Sequence, residues 1–227
     1  MNKMCRTTIQ DGRSMIEMLG VLAIIGVLSV GGIAGYSKAM SKFKINKSIE
    51  QISQIVNNIR TLYANHTTYA GLNNKMAIKM GVIPDELGTD GTSGVLTNVY
   101  NGNVYVGAVE YNSTIPGNRA FIVAYRGLPY DVCIALATHD WGGKESTGLI
   151  GIHAMAVSSY FTATTDGITS QAETLLHIKC RGSRYINNVV ACSGGDVLGL
   201  PMNVAAASDG CSRCRKNNSC TVAWKYF

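Results

Sequence analysis

The chain has 227 residues, of which 46% are hydrophobic and 15% are charged, and seven are cysteines. This length accommodates one ordinary domain together with an anchor or a tail. The low charge content excludes a disordered or highly charged linker protein. The net charge of +6 comes from scattered lysines and arginines, so nucleic acid is not indicated as a partner.

An apolar segment without charged residues follows Glu17 and ends before Lys38. It covers residues 18–37, and about twenty helical residues at ~1.5 Å each cross a hydrocarbon core of ~30 Å. We therefore predict a membrane-spanning helix over 18–37. A conventional secretory signal, cleaved near the small residues of 32–34, is the alternative.

Glu17 stands at the edge of the apolar segment, where an unpaired carboxylate costs a few kcal/mol. Such a side chain either extends to the lipid headgroups or pairs with a cation. Two unit charges about 4 Å apart attract by about 4 kcal/mol at an effective dielectric constant of about 20, before desolvation is counted. Pairing therefore offsets the cost of placing the Glu17 carboxylate beside the apolar segment and can fix the register between neighbouring helices.

Beyond the apolar segment, branched and aromatic residues recur at helical spacing. The stripe consists of Ile45, Ile49, Ile52, Val56, Ile59 and Tyr63. Spacings of four and three residues place them on one face of a helix. Because no proline precedes Pro84, we predict one continuous helix over 13–66, whose second half packs on a globular domain formed by residues 67–227.

The globular part alternates short helices with strand patterns. The predicted elements are a helix over 73–80, a hairpin around 101–103, strands over 121–125, 149–157 and 221–226, a helix carrying Cys133, and a helix that starts with a capping box at 170–173 and reaches Cys180. The predicted fold class is α+β, with a long N-terminal helix packed on an antiparallel sheet.

Six of the seven cysteines lie in the C-terminal half, and Cys5 lies near the N-terminus. The six are Cys133, Cys180, Cys192, Cys211, Cys214 and Cys220. An even set in one region indicates disulfides in an oxidising compartment, which places the C-terminal domain outside the cytoplasm. Zinc held by the cysteine-rich tail, residues 192–227, is the alternative, but a zinc ribbon has two close cysteine pairs and this tail has one. We predict no metal and no cofactor.

Gly12, four intervening residues, Glu17 and the apolar helix together resemble the prepilin-peptidase signal of type IV pilins and pseudopilins. The resemblance implies that residues 1–12 are a leader peptide, that cleavage follows Gly12, and that Arg13 becomes the mature N-terminus. It also implies that Glu17 pairs with the free amine of a neighbouring subunit during assembly. The usual first residue in this family is Phe or Met, and it is commonly methylated.

Segments 59–63, 67–72 and 83–85 are similar to the type IVb branch, close to bundle-forming pilin and the PilS-type pilins. The segments around Cys133 and Cys180 resemble those that hold the family's disulfide, so the resemblance implies a Cys133–Cys180 pair. The pairing of the four tail cysteines stays open.

The function implied is that of a structural pilus subunit and not of an enzyme; no HExxH, GxSxG or P-loop motif is present. The implied partners are further copies of the chain, a prepilin peptidase, an assembly platform, the inner membrane, and a host or bacterial surface. The prepilin would reside in the inner membrane and the mature chain in an extracellular filament that serves adhesion, aggregation or contact during DNA transfer. The alternatives are a minor pilin, pseudopilin or tip adhesin of a pilus or of a type II secretion-like machine, and a secreted disulfide-rich binding domain.

Overall fold

The computed structural model describes residues 15–89, 93–111, 117–156, 163–164, 167–168, 188–192, 199–216 and 219–227. The chain divides into two compact units, Met1–Phe43 and Lys44–Phe227, here called unit 1 and unit 2. One helix, α1 (Met15–Leu62), contributes residues to both units. The long N-terminal helix of the predicted fold class is therefore confirmed.

In unit 1, α1 is an apolar helix whose side chains face solvent. Every residue from 15 to 39 is exposed. Helix formation here follows from a run free of proline in which leucine, alanine and methionine favour the helix, and the glycines weaken helix propensity without ending it.

Unit 2 is built on an antiparallel sheet. Its strands are β1 (Gly88–Thr89), β2 (Leu96–Thr97), β3 (Asn103–Val109), β4 (Ala120–Leu128), β5 (Leu149–Ala156), β8 (Asn188–Cys192) and β9 (Cys220–Tyr226). Their spatial order is β1-β2-β3-β4-β9-β5-β8, and a separate pair joins β6 (Ala163–Thr164) to β7 (Gly167–Ile168). Every described pairing is antiparallel, as predicted.

The last strand in the chain, β9, lies inside the sheet between β4 and β5. Residues of β9 pair with β4 on one side, for example Trp224 with Val123, and with β5 on the other, for example Trp224 with Ile152. All seven residues of β9 are buried. Long-range pairing of this kind means that the sheet is complete only when the C-terminal residues have joined it.

The short helices of unit 2 are α2 (Asn74–Lys79), α3 (Tyr130–Thr138), α4 (Lys144–Thr147) and α5 (Val204–Cys211), and a 3-10 helix (Ser212–Lys216) follows α5. Asn74 fixes α2 to the sheet, because its buried amide donates to the carbonyls of Gly94 and Val104 and accepts from the amide of Val106. Three hydrogen bonds satisfy a polar side chain that would otherwise be costly to bury.

The main core lies between the second half of α1 and one face of the sheet. Ile52, Ile55 and Ile59 are fully buried there, in one cluster with Phe121 and Trp224. The predicted stripe is correct for this half of α1, although Ile45 and Ile49 are only partly buried, and Tyr63, which is also partly buried, follows the end of the helix at Leu62. The other face of the sheet carries a smaller apolar cluster, and the buried Lys225 on that side donates from Nζ to the Tyr111 carbonyl at 3.0 Å.

Most predicted elements of unit 2 have counterparts, with shifted boundaries. The predicted hairpin around 101–103 corresponds to β2 and β3, with Leu96 opposite Val104. Asn101 takes a positive φ of 61° in the turn, a conformation that asparagine tolerates better than most residues. The predicted helix from 170 to 180 lies outside the described residues.

Candidate assembly helix, cysteine cluster and surface cavity

The unit 1 part of α1 presents large apolar side chains without a covering layer. Ile24, Leu28 and Ile33 are 62%, 68% and 70% exposed. The helix is long and apolar enough to cross a membrane. Exposed apolar surface costs about 25 cal/mol per Å² relative to burial, so this surface is stable in a cell only against lipid or other apolar side chains.

Glu17 lies in the first turn of α1 and is exposed. A carboxylate near a helix N-terminus is stabilised by roughly 0.3–1 kcal/mol through the helix dipole. Within the described part of the chain, no basic side chain forms an ion pair with Glu17. Gly12 and Arg13, the predicted cleavage site, lie outside the described residues.

Four cysteines of unit 2 form two disulfides at the end of α5. Cys133 of α3 is bonded to Cys211 of α5, with Cα atoms 6.2 Å apart. Cys214 is bonded to Cys220, at the start of β9, with Cα atoms 5.0 Å apart. All four are buried. A third disulfide within the chain would therefore join two of the three remaining cysteines, which are Cys5, Cys180 and Cys192.

The expected Cys133–Cys180 pair is wrong, because the partner of Cys133 is Cys211. The physical reason is that α5 packs against α3, with the Tyr130 hydroxyl 2.8 Å from Ser208 Oγ. Both the predicted helix over 170–180 and α5 end in a cysteine, so helical pattern alone does not distinguish them. A signal for α5 is present in the sequence, since Asn203 caps its N-terminus by accepting from the amide of Ala206 at 2.9 Å.

The sulfur atoms of Cys133, Cys211 and Cys220 lie within 4.8 Å of one another. Thiolates at this spacing could hold a metal ion, but a thiolate and not a disulfide sulfur is the ligand. The two disulfides therefore remove the donors that a metal site would need. Cys192 lies in β8 opposite Gly151 of β5, and Cys180 lies outside the described residues.

A surface cavity of about 630 Å³ lies at the end of α1, entirely within unit 2. The residues that line it are Arg60, Thr61, Tyr63, Ala64, His66, Thr67, Tyr69, Arg119 and Phe227. Arg60 is held in place, because Nη1 donates to the Thr147 carbonyl at 2.6 Å. Sequence reasoning missed this cavity, since its residues come from three distant segments and no motif links them.

Aromatic rings connect the cavity to the core. The ring centroids of Tyr63 and Tyr69 are 5.2 Å apart, and those of Tyr69 and Phe121 are 4.8 Å apart. Burial raises the pKa of Tyr69, and the neighbouring positive charge of Arg60 offsets part of that rise. The Tyr69 hydroxyl therefore stays protonated at neutral pH, and Arg60 lies close enough to influence it.

The family model described as PilS N terminal matches residues 42–191, which is more than half of the chain. The chain belongs to the PilS family. It is thus a type IV pilin, a structural subunit that assembles into a pilus, and the predictions of the family and of a non-enzymatic role are confirmed.

Two relatives of this pilin are major structural subunits of bundle-forming pili, from Escherichia coli O127:H6 (strain E2348/69 / EPEC) and from Escherichia coli O111:H-. Each is 26% identical to the pilin over 141 residues, which cover 62% of this chain and 70% of the relative.

Two solved structures are also similar. TcpA, a type IV pilin from Vibrio cholerae El Tor biotype, matches with a TM-score of 0.48 and 16% identity, over 81% of this chain and 99% of its own. A type IV b pilin from Salmonella typhi matches with a TM-score of 0.37 and 16% identity, over 76% of this chain and 93% of its own. Both TM-scores are below 0.5, so the fold assignment rests on the elements described above.

Proposed function

We propose that this pilin is made as a prepilin, is cleaved after Gly12 by a prepilin peptidase, and is the major subunit of a type IVb pilus. Arg13 is then the first residue of the mature chain, and its free amine pairs with Glu17 of a neighbouring copy. The observation that carries the proposal is the combination of an exposed apolar helix with a single carboxylate in its first turn.

The apolar part of α1 requires two successive environments. Before assembly, lipid of the inner membrane covers the exposed side chains of unit 1. In the filament, the same helices from other copies cover them, with the help of an assembly platform that transfers each subunit. Within the apolar segment a lone carboxylate costs a few kcal/mol, so pairing with an amine both removes this cost and aligns adjacent copies.

The two disulfides of unit 2 support an orientation with the globular unit outside the cytoplasm. Disulfides persist in the periplasm and outside the cell, and cytoplasmic thiols are kept reduced. Exposed on the filament, unit 2 would then provide the contact with a host or bacterial surface.

Sequencing the N-terminus of sheared filaments tests the cleavage step. We expect the mature chain to begin at Arg13. Finished filaments whose subunits still carry Met1, or begin near residue 35 as a conventional signal would leave them, contradict the proposal.

Glu17→Ala tests the pairing step. We expect processed, membrane-held subunits and at least a tenfold lower filament yield, measured by shearing and quantitative immunoblotting. Glu50→Ala is the matched control, because Glu50 lies in the same helix, is exposed, and contacts Lys47 in an i,i+3 ion pair worth only a few tenths of a kcal/mol. Equal filament yields from the two variants would refute the role of Glu17.

Counting copies separates a major subunit from a minor pilin or tip adhesin. Quantitative mass spectrometry of purified filaments is expected to find this chain as the dominant protein. A few copies per filament would instead assign it to the minor class.

A further inference from the structure

We propose that the surface cavity at the end of α1 binds a carboxylated pyranose, the class of sugar to which uronic and sialic acids belong. The inference goes beyond assembly, because the cavity lies within unit 2 and its binding can be measured on unassembled protein. It rests on three properties of the cavity: its charge, its aromatic walls and its size.

The charge of the cavity is positive. Arg60 and Arg119 both line it, no side chain among the described residues that surround it carries a carboxylate, and the main-chain carboxylate of Phe227 offsets only one of the two positive charges. Arg60 is partly buried and its guanidinium is oriented by its bond to the Thr147 carbonyl, whereas Arg119 is exposed. Guanidinium groups bind carboxylates through paired, charge-assisted hydrogen bonds.

The walls of the cavity are aromatic. Tyr63, Tyr69 and Phe227 line it, and His66 contacts Tyr63 edge-on with ring centroids 5.6 Å apart. The faces of such rings carry negative charge, and they attract the weakly positive C–H groups of a sugar ring. Tyr69 is backed by Phe121 of the core, so this wall is part of the packed structure of unit 2.

The size of the cavity favours a ring over a single acidic side chain. Its volume of about 630 Å³ lies within the range of ~300–1,000 Å³ that is typical of small-molecule sites. A carboxylated pyranose supplies both a ring for the tyrosines and an anion for the arginines. A lone Asp or Glu from another copy of the chain would satisfy the arginines and leave the aromatic walls uncovered.

Isothermal titration calorimetry on the full chain in detergent tests the proposal. The probes are sodium glucuronate and N-acetylneuraminate, which represent bacterial and host glycans, with glucose as the neutral control. We expect at least one of the acids to bind in the millimolar range or tighter, more weakly as salt is raised, and glucose to show no binding. The acid that binds more tightly identifies the source of the glycan.

Arg119→Gln is the decisive variant, because Arg119 is exposed and its loss leaves the core intact. Binding of the acid is expected to weaken about tenfold, since a hydrogen bond to a charged group contributes roughly one decade of affinity. Lys79→Gln, which removes the same charge from an exposed site away from the cavity, is the matched control and is expected to bind as the wild type does.

Three outcomes overturn the proposal: no binding of either acid, equal binding of glucose, or equal affinities for the two variants. If neither acid binds the wild type and Arg119→Gln lowers the filament yield, the cavity would instead be assigned to contact between copies of the chain. Because the titration uses unassembled protein, a failure of the sugar to bind is distinguishable from a failure of filament assembly.

Discussion

The two parts of α1 have the same secondary structure and opposite burial. In unit 1 the helix carries no charged residue over 18–37, and Ile24 is 62% exposed. In unit 2 the same helix is amphipathic, and Ile55 is fully buried against the sheet. Isoleucine therefore serves two purposes in α1. In unit 1 it forms a surface that a membrane or another copy must cover, and in unit 2 it is part of a folded core.

This difference shows that helix formation and burial are specified separately. Helix propensity and the absence of proline maintain α1 from Met15 to Leu62. The apolar pattern then decides the environment, because a stripe on one face packs against one partner and a helix that is apolar all round requires a nonpolar medium. The same substitution made in each part of α1 therefore tests whether helix formation and burial are specified separately.

The largest expected effect is confined to unit 2. Replacing both Cys133 and Cys211 by alanine removes a disulfide between residues that are 78 positions apart in the sequence. In the loop-entropy model this loss is expected to lower the free energy of unfolding by about 4–5 kcal/mol. The corresponding change at Cys214 and Cys220, separated by 6 residues, is expected to cost about 2 kcal/mol.

Urea unfolding of the full chain in detergent measures both losses. Tryptophan fluorescence reports on unit 2 alone, because both tryptophans, Trp141 and Trp224, are buried there. Equal losses from the two double variants would contradict the assignment of the longer loop to Cys133 and Cys211.

A matched pair of substitutions tests the contrast within α1. Ile55→Ala removes fully buried methyl groups and is expected to cost about 2–5 kcal/mol of unfolding free energy in unit 2. Ile24→Ala makes the same chemical change on the exposed surface and is expected to alter that free energy by less than about 0.5 kcal/mol. If Ile24→Ala destabilised unit 2 as strongly as Ile55→Ala, the two parts of the helix would not be independent.

A smaller effect is expected at the N-terminus of α5, the helix that carries Cys211. Asn203→Ala removes the side chain that accepts from the Ala206 amide and is expected to cost about 1 kcal/mol. Asn203→Gly is the control, since glycine at this position costs only a few tenths of a kcal/mol. Thermal unfolding followed by tryptophan fluorescence would detect the difference, and identical midpoints would exclude a capping role.

The smallest expected effect is a change in pH dependence. Burial, with a contribution from the nearby charge of Asp131, raises the pKa of Tyr100 to about 12. Between pH 10 and 12 the folded state therefore keeps the phenol protonated, whereas the unfolded chain, with a pKa of about 10, loses the proton. The contribution of Tyr100 to the free energy of unfolding is thus complete below pH 10 and is lost as pH rises towards 12.

Tyr100→Phe is expected to make the decline in stability between pH 10 and 12 less steep. Burial also raises the pKa of Tyr125 and Tyr226, so the variant retains part of the decline. Urea midpoints at pH 8, 10 and 11.5 measure the slope. A slope unchanged from the wild type would show that Tyr100 ionises alike in both states.

Local patterns in the sequence predicted much of the fold. The isoleucine stripe predicted the buried face of α1, and the strands over 121–125 and 221–226 correspond to β4 and β9. Pairing across long distances was not predictable in the same way. That Trp224 lies between Val123 and Ile152 depends on contacts between segments about 70 to 100 residues apart, which no local pattern records.

The disulfides and the cavity show the same limit. Cys133 was predicted to be bonded, but its partner is Cys211, because the packing of α5 against α3 brings those two sulfurs together. Arg60 and Arg119 line one cavity although 59 positions separate them in the sequence. Neither arginine belongs to a motif, so the sequence held no signal for their proximity.

By itself, the sequence determined that an apolar helix with one carboxylate in its first turn precedes a cysteine-rich α+β domain, because hydrophobic periodicity and charge are properties of neighbouring residues. Only the tertiary structure decided which cysteines are bonded, where β9 inserts, and which side chains surround the cavity. Those features depend on the distances between remote segments, and such distances are fixed only when the core has packed.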